Sequence, residues 1–363
     1  MSSQAPIPNP RQTTDLFGHE ASERLLLDAW NSGRMPHAWL LGGVPGIGKA
    51  TLAYRLARFV LAQGGDGGAG LFGAAPAADG LGLPAGHPVA SRVAAGGHAD
   101  LLTVERPMDE KKGRLKRDIP VDEVRRIQPF LRLTAAEGGW RVVVLDGADR
   151  LNSAGQNAIL KILEEPPERA LLVVVTDNPG GLLPTIRSRC RRLALNPLPD
   201  ATVLALLRRH RPDMGEDDLT ALTRLAEGSV GRALDLAEAG GLALYRELLG
   251  LLEELPRLDA VALHAFGDKL ARRGNDTAYE VASTLLVWWL SRLVRAIARA
   301  ELPAPVVPGE EDLMRRLAGE HGLDRWVEVW EKVNRLFSRA DSANLDRKQV
   351  VLNALLAVEA AAA

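Results

Sequence analysis

The chain has 363 residues, a length that suggests two or three domains and allows a sizeable core. Its 45 Lys and Arg nearly balance 46 Asp and Glu, and the formal net charge of −1 excludes a global positive field, so any nucleic-acid contact is local. A single cysteine, Cys190, excludes an intrachain disulfide and a multi-cysteine zinc site and fits a reducing compartment. The opening MSSQAPIPNPRQTTD has no apolar h-region, and the longest charge-free apolar stretch, VASTLLVWWLS, stops at Arg292, short of a bilayer span. A soluble cytoplasmic protein without membrane association is expected.

Between about residues 20 and 195, short apolar runs alternate with helix-like segments, which predicts an α/β layer with a parallel sheet. The expected strands are 37–43, 101–105, 141–146, 171–176 and 191–195, apolar enough to be buried on both faces. Helices are expected at Glu20 to Asn31, Lys49 to Leu61, Val121 to Leu131 and Ser153 to Glu165, the last ended by Pro166 and Pro167. Residues 64–97 are rich in Gly, Ala and Pro with little periodicity, and read as a flexible insertion. After Pro197 only helical patterns remain: a short three-helix unit to about Ala239, then longer amphipathic helices, including Ala282 to Ala300 and Leu323 to Phe337. Trp288, Trp289, Trp326 and Trp330 are read as core or interface anchors. The basic run KKGRLKRD, 111–118, is read first as a solvated loop, with contact to phosphates or a partner as the alternative, and His37, His87 and His98 show no metal-ligand spacing.

GGVPGIGKAT, residues 42–51, follows an expected strand and opens an expected helix, the context that gives a phosphate-binding loop its meaning. Gly43, Gly46 and Gly48 let backbone N–H groups close around a phosphate, and Lys49 can reach its terminal oxygens. Magnesium needs a hydroxyl after the lysine, and Ala50 has none. Thr51 lies one helical residue further, about 100° round the axis. Loss of such a contact is worth roughly 1.5–3 kcal/mol, or about 10 to 150-fold in nucleotide affinity. In VVVLDGAD, Asp146 could serve a metal, but Gly147 stands where a carboxylate would activate water, a loss of about 10² to 10⁴ in rate. Two defects in one site point away from hydrolysis.

GVPGIGKAT, VVVLDGADRLNSAGQNAILKILEEPPERALLVVVT and LLPTIRSRC, in this order, resemble the AAA+ clamp-loader family, the last with its Ser-Arg-Cys signature at Ser188, Arg189 and Cys190. The resemblance covers about residues 15–240, and NLDRKQ, 344–349, is similar to the last collar helix. It implies an α/β P-loop (RecA-like AAA+) domain over 1–195 carrying the 64–97 insertion, a helical lid over 196–241, and an all-α collar for oligomerisation over 242–363. Lys49 and Asp146 would be remnants of the Walker motifs, Thr176 the sensor 1 position, and Arg189 an arginine finger acting in trans on a neighbour's ATP. Cys190 itself reads as a buried small hydrophobe. DLFGH, 15–19, resembles the segment near adenine, and GSVGRAL places Gly231 where active relatives carry the sensor 2 arginine, with Arg232 one position off.

The implied function is that of a stator in a ring that loads a sliding clamp onto primer-template DNA, its partners being the gamma/tau and delta clamp-loader subunits. No independent ATPase activity is expected. Gly43, Gly46, Gly48, Lys49, Thr51, Asp146 and Thr176 form a residual nucleotide site, so any cofactor would be ATP or ADP with weak magnesium dependence. Zinc is not expected, because the cysteine-free insertion stands where relatives carry a four-cysteine module. The alternative is an active AAA+ motor of the gamma/tau type, against which Ala50 and Gly147 both count.

Overall fold

The computed structural model describes residues 9–63, 77–109, 114–137, 139–320, 322–343 and 345–363. The chain divides into two compact units, one running to Leu206 and taking in Glu227–Gly231, the other made of Leu207–Ala226 and Arg232–Ala363.

In chain order the first unit contains α1 (Glu20–Asn31), β1 (Ala38–Gly42), α2 (Lys49–Gln63), α3 (Pro88–Ala94), β2 (Leu101–Val104) and a short hairpin of β3 (Met108–Asp109) and β4 (Arg114–Leu115). Then follow α4 (Val121–Arg125), α5 (Ile127–Arg132), β5 (Arg141–Asp146), α6 (Ser153–Glu164), β6 (Ala170–Thr176), α7 (Pro184–Arg189) and β7 (Arg191–Ala194). The main sheet has the order β2-β5-β6-β1-β7 and is parallel throughout. The expected parallel α/β layer is therefore present. Alternation along the strands explains why both faces are covered. Trp39, Leu41, Val142, Val144, Leu171 and Val173 join one buried cluster with α1 and α2, while Leu40, Val143, Leu145, Leu172 and Val174 join another with α4 to α7.

Two expectations are corrected. The single helix over Val121 to Leu131 is broken into α4 and α5, because Pro129 has no N–H for the Arg125 carbonyl and its ring would crowd that carbonyl. The insertion is not loose throughout. Leu81, Val89 and Val93 are buried in the first cluster, and the Asn31 side chain exchanges two hydrogen bonds with the Ala78 backbone. His87 caps α3, its Nδ1 accepting from Val89 N. Residues 64–76 of that insertion, 110–113 around the basic run, and Asn344 lie outside the described residues.

The second unit is helical. After α8 (Asp200–His210), which straddles the division, come α9 (Glu216–Ala226), α10 (Val230–Glu238), α11 (Gly241–Glu253), α12 (Ala260–Ala271), α13 (Asp276–Arg299), α14 (Glu310–Glu320), α15 (Leu323–Ala343) and α16 (Arg347–Ala362). The stretch around VASTLLVWWLS belongs to a 24-residue helix, α13, long and apolar enough by length and composition to cross a membrane. Its apolar face is taken up inside the protein against α11 and α15, with Trp288, Trp289 and Leu293 buried. Arg292 is buried there too. Its guanidinium pairs with the buried Glu310 at 2.7 Å and stacks on Trp288, and Glu310 also accepts from the Tyr245 hydroxyl at 2.6 Å. A charged pair satisfied from several sides marks α13 as a core helix. Trp326 is fully buried and Trp330 half-buried, as expected of anchors.

Candidate functional site

The glycine-rich loop leaves the C-terminal end of β1 and runs into α2, which begins at Lys49. Gly46 and Gly48 have φ of +74° and +101°, conformations that side chains with a Cβ rarely adopt, so the loop can turn its N–H groups inward as a nest. Its carbonyls are tied down one by one. Val44 O accepts from Lys49 Nζ at 2.5 Å, Pro45 O from Ser229 Oγ at 2.8 Å, Gly46 O from Gly231 N at 2.9 Å, and Ile47 O from His19 Nε2 at 2.6 Å. A carbonyl only accepts, so His19 carries its proton on Nε2.

Lys49 is 4% exposed, and its ammonium lies 2.7 Å from Asp177 Oδ1. Asp177 follows Thr176, the buried last residue of β6, which is adjacent to β1 in the sheet. Thr176 Oγ1 donates to Asp149 Oδ1 at 3.2 Å and accepts from Asn178 N at 3.1 Å, while Asp177 N donates to the same Asp149 oxygen at 3.0 Å. Asp149 is thus engaged in shaping the end of β6. Asp146 closes β5, and its carboxyl is pushed up to about 6 by burial, then by Glu105, Asp177 and Asp149, against the attraction of Lys49. Gly147, at φ +81°, turns the chain there and offers no side chain.

A magnesium nucleotide fits these residues poorly. Ala50 supplies no metal hydroxyl, Thr51 is half-buried on the next helical position, and Gly147 supplies no base. The ammonium that would hold phosphate is already paired. The turn 228–231 lies directly on the loop: a Cβ on Gly231 would stand 2.7 Å from Gly46 Cα. Gly231 is therefore the residue that permits a backbone approach that an arginine's Cβ would obstruct.

Arg189 belongs to a separate constellation. It ends α7, whose Ile186 is fully buried, and the next residue, Cys190, is 7% exposed. Burial pushes the Cys190 thiol up to about 11, so it is an inert anchor, as the sequence suggests. The Ser188 hydroxyl donates to the Thr185 carbonyl at 3.1 Å, closing the last turn. The start of α7 is fixed by α6, where Gln156 Oε1 accepts from Leu183 N at 2.8 Å. The Arg189 side chain is 36% exposed, donating to Thr185 O at 3.1 Å and pairing with Glu164 Oε1 at 3.0 Å.

Loop, strand ends and the Ser188-Arg189-Cys190 corner are thus where the sequence places them. Asp177 belongs to no motif that the sequence offers and is found by the tertiary fold alone, whereas His19 and Ser229 lie within DLFGH and GSVGRAL without any signal in those segments for the bonds they make. Among the described residues no group of three or more His, Cys, Asp or Glu could hold a metal ion.

The family described as DNA polymerase III, delta subunit, matches residues 18–199. DNA polymerase III subunit delta' of Escherichia coli K12 is 30% identical over 346 residues, 92% of each chain. The delta' subunit of Pseudomonas aeruginosa is 39% identical over 195 residues, 53% of each. DNA polymerase III subunit gamma/tau of Mycobacterium tuberculosis H37Rv is 29% identical over 349 residues, which is 88% of this chain and 57% of that one. With half of its length matched by the family pattern and a 30% identical relative aligned almost end to end, the chain belongs to the DNA polymerase III delta-subunit family.

Proposed function

We propose that this chain is a non-hydrolysing stator of a DNA polymerase III clamp loader, in a ring with gamma/tau and delta subunits that seats a sliding clamp on primer-template DNA. Within it, Arg189 supplies a guanidinium to ATP held by a neighbouring subunit. The observation that carries the reading is an asymmetry: the chain's own phosphate loop lacks a metal hydroxyl and a base, whereas Arg189 stands half-exposed on a firmly anchored helix end. Ile186 and Cys190 fix the backbone, and the guanidinium keeps donors beyond the two it uses on Thr185 and Glu164.

A planar guanidinium stabilises charge developing on a transferring phosphoryl group, worth about 10³ to 10⁵ at a single site. In a ring with several active sites one interface loses it, so the overall loss is smaller. Arg189→Ala in a complex reconstituted with gamma/tau and delta subunits is expected to assemble normally but to lose much of its DNA- and clamp-stimulated ATPase. Arg189→Lys should recover only part, since an ammonium cannot reproduce the fork. Wild-type ATPase and clamp loading with Arg189→Ala would reduce Arg189 to a structural residue.

A further inference from the structure

A phosphate loop that has lost hydrolysis can still bind nucleotide, because Lys49 and the glycine nest remain. What decides occupancy is how the buried ammonium is neutralised. An ammonium taken out of water needs an opposite charge beside it. In a working loop that charge is phosphate. Here it is the carboxylate of Asp177 at 2.7 Å, delivered by the residue immediately after β6.

We infer that Asp177 is the determinant that keeps polyphosphate out of this loop: its carboxylate takes the place of a phosphate oxygen on Lys49 and makes the loop self-liganded. The rest of the loop agrees. In a nest the N–H groups line the concavity and the carbonyls face outward, and the four carbonyls from Val44 to Ile47 all accept from donors of this chain. These bonds brace the loop, and three of them tie it to segments far away in sequence, at His19, Ser229 and Gly231. The surroundings also oppose an anion. An incoming phosphate would meet the Asp177 carboxylate already 2.7 Å from the Lys49 ammonium, with the Asp149 carboxylate, which accepts from Asp177 N, beside it. The loop thus acts as a fixed post on which the turn 228–231 rests, a role independent of what Arg189 does.

The test uses the full chain and two probes, sodium tripolyphosphate and ATP, in calorimetric titrations with and without magnesium and in thermal melts. Wild type should show no saturable binding at millimolar probe. Asp177→Ala, and Asp177→Asn as the gentler variant, should bind tripolyphosphate at least about tenfold more tightly, the worth of one contact to a charged group. Tripolyphosphate should also restore part of the melting temperature lost by Asp177→Ala, and should do neither in the Lys49→Ala/Asp177→Ala double variant. Equal binding by wild type and the Asp177 variants would overturn the inference. So would no gain in either variant, or a gain that survives loss of Lys49.

Discussion

Lys49 and Arg189 are both cations at the ends of helices in the same unit, and the chain surrounds them in opposite ways. Lys49 is 4% exposed, paired with Asp177 and bonded to the loop it serves. Both acidic partners face solvent, Asp177 at 43% and Glu164 at 49%, so the contrast lies in the cations: Arg189 is 36% exposed, and water or another anion can reach it and replace its partner at little cost. The backbone under both is held in place, in one case by braced carbonyls and in the other by Ile186 and Cys190. The difference lies in the direction each charge is turned. A buried cation paired within its own chain is a structural element, whereas an exposed one on a rigid base can act on something outside the chain.

The comparison can be sharpened first at Asp146. Its carboxyl sits at about 6 in the folded chain, above the roughly 3.9 of an unfolded aspartate, so the fold favours the protonated form. That contribution is fully present below the unfolded value and is lost as pH rises through 6. Asp146→Asn is therefore expected to be about 2–3 kcal/mol more stable than wild type at pH 8, with the gap closing near pH 4. Urea denaturation at the two pH values measures it, and a gap independent of pH would mean that neither burial nor the neighbouring carboxylates raise the Asp146 carboxyl.

A smaller effect is expected at Gly231. Gly231→Ala forces a methyl group against Gly46 Cα and should cost about 1–2 kcal/mol by lifting the turn from the loop. Hydrogen exchange at Gly231 N, which donates to Gly46 O, should quicken in that variant; unchanged exchange and stability would show that the turn does not need the close approach.

The smallest effect is expected on the other side of the comparison. Glu164→Ala removes a surface partner of Arg189 and should change the stability of the chain by less than about 1 kcal/mol. A large loss of melting temperature would mean that Arg189 is held as firmly as Lys49, which would break the contrast.

Much of this was legible in the sequence, for identifiable reasons. Strands such as RVVVLD and LLVVVT are apolar runs buried on both faces, and their bounds agree with β5 and β6 to within a residue. The loop was visible because glycine spacing, strand and helix coincide locally. The partner of Lys49 was not, because Asp177 reaches it only through the pairing of β1 with β6. Ser229 and Gly231 approach the loop from more than 180 residues away, a contact that no local pattern announces. The packing of residues 77–97 was hidden for a related reason. Leu81, Val89 and Val93 are too few to show a sustained period, yet they are the buried residues that hold that otherwise largely exposed segment against the first cluster.

The most direct test of the account sets the two cations against each other in one assembly. Lys49→Ala and Arg189→Ala would each be reconstituted with wild-type gamma/tau and delta subunits, and DNA- and clamp-stimulated ATPase measured at saturating ATP. The account predicts a rate close to wild type for Lys49→Ala and a several-fold lower rate for Arg189→Ala, with both complexes assembled. A loss with Lys49→Ala that matches or exceeds the loss with Arg189→Ala would contradict it, because the chain would then be using its own phosphate loop.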